Sequence, residues 1–275
     1  MTFLNKHGLS RDIPAEVKRL VRQRSGFGCV VCGLAIYQYE HVDPPFADAT
    51  KHLPDAITLL CAGCHDRVTR GLLSKSAVKV SMMKPKAFEK GFSFGPFDLG
   101  SGHPTVIAGG LTAIRTRSII RVYRDPVLSL APPEEGTSPF LLGALLRDDQ
   151  GQVIMEIVDN EWRTPTTNWD TQILGQTIAI RRSRGDISLS LKAEPPNGIR
   201  IERLQMLHRG TTIECDPKNG FGVQTATGQY FHAFPATAVG CKAAIDVTST
   251  GLTVGCQCES MSIGYATVGT APRRR

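Results

Sequence analysis

The stretch that decides the N-terminal fold reads Cys29-Val30-Val31-Cys32, then Tyr39-Glu40-His41-Val42-Asp43-Pro44, then Leu59-Leu60-Cys61-Ala62-Gly63-Cys64-His65. A two-residue spacer lets both thiolates of one turn face a single metal, and two such turns complete a tetrahedral shell. Cys29, Cys32, Cys61 and Cys64 are therefore read as ligands of a structural Zn²⁺. Between Cys32 and Cys61 lie 28 residues, more than the ~15–20 of a simple zinc ribbon. That insert must hold structure of its own, and it contains Glu40-His41.

Glu-His between two Cys-x-x-C pairs, Pro44 three residues after the His, and a closing Leu60-Cys61-x-x-Cys64-His65 resemble the zinc-containing HNH (ββα-metal) nucleases. The resemblance covers roughly residues 11 to 80. It implies that His41 is the general base, that Glu40 and His65 hold a catalytic divalent metal such as Mg²⁺ or Mn²⁺, that the four Cys form a separate structural site, and that DNA is the partner. Arg67 and Arg70, just after the motif, become candidate nucleic-acid contacts. The family's middle Asn is replaced by Ala56, so Asp55 or His52 is expected to brace the loop opposite His41. Thr69, where some relatives carry a third His ligand, is expected to contact the metal weakly or through water, which favours hard cations. Adjacent strand residues point to opposite faces, so Glu40 and His41 should share a cleft only at a twisted or bulged strand end.

At 275 residues and 41% hydrophobic content the chain has room for two domains. No apolar run approaches the ~18–20 residues that cross a bilayer, and the expectation is a soluble, cytoplasmic protein without a membrane partner. The net charge of +7 is uneven: residues 1–90 carry 14 Lys and Arg against 8 Asp and Glu. The positive field thus accompanies the metal motif, as handling a phosphodiester backbone requires. Cys215, Cys241, Cys256 and Cys258, scattered through an apolar region, read as small buried hydrophobes. His7, His103, His208 and His232 read as ordinary surface or core histidines.

The expected fold is α+β: a zinc-stapled ββα-metal domain over 1–90, a linker over 91–103, a β-rich antiparallel sandwich or barrel over 104–268, and a basic tail over 269–275. Ile13-Pro14-Ala15-Glu16 opens a helix with Lys18, Arg19, Arg22 and Arg24 on its outer face. Strands are expected over 34–42 and 57–60, a short helix over 65–70, and another from Ser74 or Ser76 to Pro85. Beyond residue 103 the period falls to two, with Gly-containing turns such as Asp149-Gln150-Gly151. Arg115, Arg117 and Arg121 share strand parity with Tyr123, a face suited to tracking a nucleic-acid backbone. The β-rich half then serves target recognition, or holds the nuclease inactive until a regulatory ligand or self-association relieves it; a homo-oligomer is compatible. Trp162 and Trp169 read as sheet-packing anchors. The competing reading is a noncatalytic zinc-knuckle module that binds nucleic acid or protein.

Overall fold

The computed structural model describes residues 4–133 and 139–270; Arg273, Arg274 and Arg275 of the expected basic tail lie outside them. The protein is mixed α/β and strand-rich, and all four α-helices among the described residues fall before residue 91. None of them is long and apolar enough to cross a membrane. Two compact units emerge, one of Met1–Gly95 with Arg163–Ile173, the other of Pro96–Trp162 with Leu174–Arg275.

The first unit contains α1 (Ala15–Arg24), β1 (Gln38–His41), β2 (Ile57–Leu60), α2 (Ala62–Thr69), α3 (Lys75–Met83) and α4 (Lys86–Lys90). Helix α1 starts after Pro14 and buries Val21 against Ile13, Ile57 and Leu59. Strands β1 and β2 pair antiparallel, from Gln38 opposite Leu60 to His41 opposite Ile57. The first strand is shorter than expected because residues 33–35 bond elsewhere: Ala35 N–H donates to Phe94 O at 2.8 Å and Gly33 O accepts from Phe94 N–H at 3.3 Å. Phe92–Pro96, inside the stretch expected to be a linker, is accordingly a strand.

Helix α2 begins three residues before the expected His65, because Cys61 is its N-cap and its sulfur accepts the Cys64 N–H. Helix α3 is capped by Ser74, whose hydroxyl accepts from Ala77 N–H at 3.1 Å. Its Val78 is buried against the four cysteines, Val30, Val42 and Leu60.

Residues 163–173 return to this first unit. Thr166 N–H donates to Gly91 O at 3.0 Å, and Arg22 makes a two-pronged ion pair with Asp170 at 2.8 and 2.6 Å. Arg19 pairs with Glu16 and lies over the Trp169 ring, and Arg24 pairs with Asp55. Lys18 lies over the Tyr39 ring at 6.0 Å, so all four cations on the expected outer face of α1 have partners within the protein.

In the second unit the described residues are strands and turns. One sheet contains Ser118–Val122, Asp125–Ala131, Leu141–Arg147 and Val153–Val158 as successive antiparallel neighbours. A larger sheet carries Thr105–Ala108, Gly198–His208, Thr211–Asp216, Gly220–Gln224, Gln229–Ala233 and Ala266–Thr270 in that order. The hairpins are antiparallel, but three long-range pairings are parallel: Thr105–Ala108 with Gly198–Ile201, Leu111–Ile114 with Ala236–Val239, and Ser118–Val122 with Ala243–Val247. The last two arise because residues 111–122 and 236–247 pass between the sheets in the same direction, side by side. The expectation of a purely antiparallel architecture is corrected accordingly. At Gly198, φ +138°, a Cβ would lie 1.9 Å from Thr105 O, so one parallel pairing depends on the missing side chain.

The run expected to place Arg115, Arg117 and Arg121 on one strand breaks where Leu111–Ile114 ends and Ser118–Val122 begins in the other sheet. Arg115, at φ +49°, turns the chain there. Arg115 pairs with Glu259 at 2.6 Å and Arg121 with Asp246 at 2.6 Å, while Arg117 is exposed. Cys241 and Cys258 are not small buried hydrophobes but a disulfide; Cys215 is buried as expected and Cys256 is half-buried. Trp162 is 2% exposed and packs beside Phe97, as an anchor should.

Candidate functional site

The four knuckle cysteines converge from two backbone turns. Gly28 has no side chain because a Cβ there would meet Gly33 O at 2.5 Å, and this tight approach closes the first turn. Gly33 N–H donates to Cys29 O at 2.7 Å across it. The second turn is the start of α2, where the Cys64 N–H points at the Cys61 sulfur at 3.4 Å. All four sulfurs lie within 4.8 Å of one another, and Cys32 and Cys61 are 3.7 Å apart. Zn–S bonds of ~2.3 Å in a tetrahedron place sulfurs about 3.8 Å apart, so the donors fit a four-thiolate zinc.

Their protonation argues the same way. A hydrogen bond from Cys32 lowers the Cys29 thiol to about 5, and that bond raises Cys32. Burial raises Cys64 to about 12. So crowded a set repels itself when fully ionised, and a divalent cation at its centre relieves that repulsion.

A second cluster forms where β1 ends against α2. The antiparallel register of β1 and β2 carries Glu40 opposite Thr58 and His41 opposite Ile57 with no bulge. Glu40 and His41 nevertheless line one cavity of about 350 Å³, together with His65, Arg11, Lys75 and Phe46. A short two-stranded ribbon twists strongly, and a cavity at its end is reached from both faces; of the two expected routes, twist or bulge, no bulge is present. His65, in the first turn and a half of α2, puts Nε2 3.2 Å from Glu40 Oε2. Two cis ligands about 2.1 Å from an octahedral cation sit roughly 3.0 Å apart, so this carboxylate and imidazole fit a shared divalent ion. Lys75 Nζ lies 3.8 Å from Glu40 Oε1 and donates to His41 O at 3.5 Å.

His41 is 8% exposed and held by a chain of hydrogen bonds. Its Nε2 is 3.1 Å from His52 Nδ1, and His52 Nε2 is 3.0 Å from Ser10 O. The chain assigns the tautomers: a carbonyl only accepts, so His52 Nε2 donates to it, and His52 Nδ1 accepts. His41 Nε2 is then the donor, and its Nδ1 carries the free lone pair. Burial, followed by the nearby His52, Arg11 and Lys75, lowers the His41 pKa below the ordinary 6.5.

Of the two residues expected to compensate for Ala56, His52 makes this contact and Asp55 is paired with Arg24. The Thr69 hydroxyl donates to the His65 carbonyl at 3.1 Å. Arg67 on α2 and Arg70 at its C-cap are exposed, Arg70 in an ion pair with Asp66 at 2.9 Å. Sequence reading did not single out Arg11 or Lys75. Each is an isolated cation next to a helix start, with no spacing that distinguishes it from a solvated lysine or arginine, and only the fold brings them to the cavity. No protein-family model, curated protein or solved structure matches this chain.

Proposed function

We propose that the first unit is an HNH (ββα-metal) nuclease that hydrolyses DNA phosphodiester bonds in restriction or defence, and that the two sheets of the second unit form a sandwich-like recognition or regulatory domain. The observation that carries this reading is the meeting of Glu40 and His65 at 3.2 Å in the cavity that His41 lines. A zinc module that only bound nucleic acid would have use for the four cysteines alone.

The chemistry divides among the chain's own groups. His41 Nδ1, left unprotonated by the bond to His52, takes the proton from the attacking water. His52, anchored on Ser10 O, holds the ring and fixes its tautomer. Arg11 and Lys75 attract the phosphodiester to the cavity, and the Arg11 guanidinium is held 4.9 Å from the centroid of the Phe46 ring. Glu40 and His65 would hold a divalent ion, Mg²⁺ or Mn²⁺ suiting the hard carboxylate. When bound, that ion polarises the phosphate and takes up charge on the leaving 3′ oxygen. The four-thiolate zinc fixes the start of α2 and therefore the position of His65.

Plasmid incubated with purified protein and Mg²⁺ or Mn²⁺, with and without chelator, tests the reading on methylated and unmethylated DNA. Nicking that needs the metal and falls ~10²–10⁴-fold in His41→Ala is the expected result. Absence of nicking on every substrate, or undiminished nicking in His41→Ala, overturns it.

A further inference from the structure

Beyond the nuclease reading, and independently of it, we infer that the outer face of the larger sheet carries a binding site for a neutral saccharide, centred on Gly222. Five strands place Gln205, Glu214, Gly222, His232 and Thr267 in one register row. Phe221 and Val223, on either side of Gly222, are 0% and 3% exposed, so the row faces away from the core.

Gly222 is unlike the glycines that the backbone demands. At neighbouring Gly220, φ +96°, a Cβ would lie 2.5 Å from Ala233 O. At Gly222 the same atom would approach nothing closer than His232 Cδ2 at 3.4 Å and Glu214 Cβ at 3.8 Å, and φ is not left-handed. Glycine within a strand weakens it, and here no crowding requires one. What it leaves is space. Two hollows, about 250 and 110 Å³, share Glu214, Gly222 and His232 and form one trough.

One edge of the trough is a platform. Tyr230 lies opposite Gly269, and a Cβ on Gly269 would come within 2.8–2.9 Å of Tyr230 Oη, Cε1 and Cζ. The ring therefore lies down across the neighbouring strand, over the position of a missing side chain. Along the trough stand a carboxylate (Glu214), an imidazole (His232) and the amide of Gln224 or Gln205. A pyranose presents an apolar C–H face and a rim of hydroxyls that both donate and accept, and this combination of flat ring, acceptor and amides matches it.

The charges argue against phosphorylated ligands. Arg203 lies 3.8 Å from Asp216, and Glu214 adds a further carboxylate, so the trough has no cationic surplus. Single-stranded nucleic acid stacks on aromatic platforms inside a cationic groove, and this trough has the platform without the cationic groove.

The test is an amide-shift titration of the ¹⁵N-labelled full chain with maltotriose, cellotriose and triacetylchitotriose, with adenosine and cytidine as separate arms. A saturable shift centred on Glu214, Gly222 and His232 with at least one trisaccharide is expected. Gly222→Val should abolish it by filling the trough, and Tyr230→Ala should weaken binding at least tenfold, with far-UV circular dichroism checking that each variant is folded. No shift with any trisaccharide, a shift centred elsewhere, or a response to the nucleosides alone overturns the proposal. So does unchanged binding in both variants; should Gly222→Val fail to fold, unchanged binding in Tyr230→Ala suffices.

Discussion

The hydrogen-bond chain from Ser10 O through His52 to His41 makes specific demands on the residues that form it. His52 needs an acceptor to offer His41 Nε2, and an Asn side-chain oxygen supplies one at similar reach, whereas Ala supplies none. His52→Asn should therefore keep most of the nicking rate, while His52→Ala loses ~10–100-fold, measured in kcat with the zinc content unchanged. The pH dependence follows from the depressed His41 pKa. In the proposed role of base the neutral imidazole is the active form, so activity should fall as pH drops through that pKa, with the acid limb below 6.5. Removing the charge in Arg11→Ala or Lys75→Ala should move the limb upward; a limb at or above the ordinary histidine value in the wild-type enzyme contradicts the assignment. That Glu40, His41 and His65 come together in one cavity was legible from the resemblance, because a local motif carries all three. The choice of His52 over Asp55 was not, since it depends on Asp55 turning to Arg24.

At the scale of elements, the first unit is closed by a segment far along the chain. Arg22 and Asp170 have side chains only 5% and 3% exposed. A buried ion pair that loses one partner leaves an uncompensated charge, typically a cost of about 3–5 kcal/mol. Asp170→Ala should lower stability by that order, and the double change Arg22→Met with Asp170→Leu should recover most of it, read from denaturant midpoints. A fragment of residues 1–90 lacks Asp170 altogether and should unfold more easily than the same fragment supplied with residues 163–173. The sequence concealed this return: helix α1, the hairpin and α2 announce themselves by caps and periodicity, but nothing near Asp170 signals a partner 148 positions earlier. The parallel pairings were hidden for a similar reason, because period-two alternation marks a strand without saying which strand lies beside it.

Across the whole molecule, the candidate metal cluster and the disulfide fall in different units. The four-cysteine cluster belongs to the unit that holds every helix among the described residues, and the Cys241–Cys258 bond belongs to the unit whose described residues are strands and turns. Structural zinc contributes roughly 10–16 kcal/mol to the folding of small modules, whereas a disulfide closing a loop of 17 positions contributes about 3 kcal/mol in the chain-entropy account. Two reagents should therefore separate the units. Stripping zinc with a strong chelator should abolish the helical circular-dichroism signal and the nicking activity, while the strand signal persists to nearly its original melting temperature. Reductant at matched pH with zinc retained should lower the melting of the strand signal and leave the helical signal in place. The experiment also weighs the two explanations of why His65 sits beside Glu40. If the zinc cluster positions α2, its removal must disorder α2 and the cavity lined by Glu40, His41 and His65 together; a chelated protein that keeps its helical signal would mean that packing of Val78 and Leu60 suffices and that the thiolates hold nothing the fold depends on.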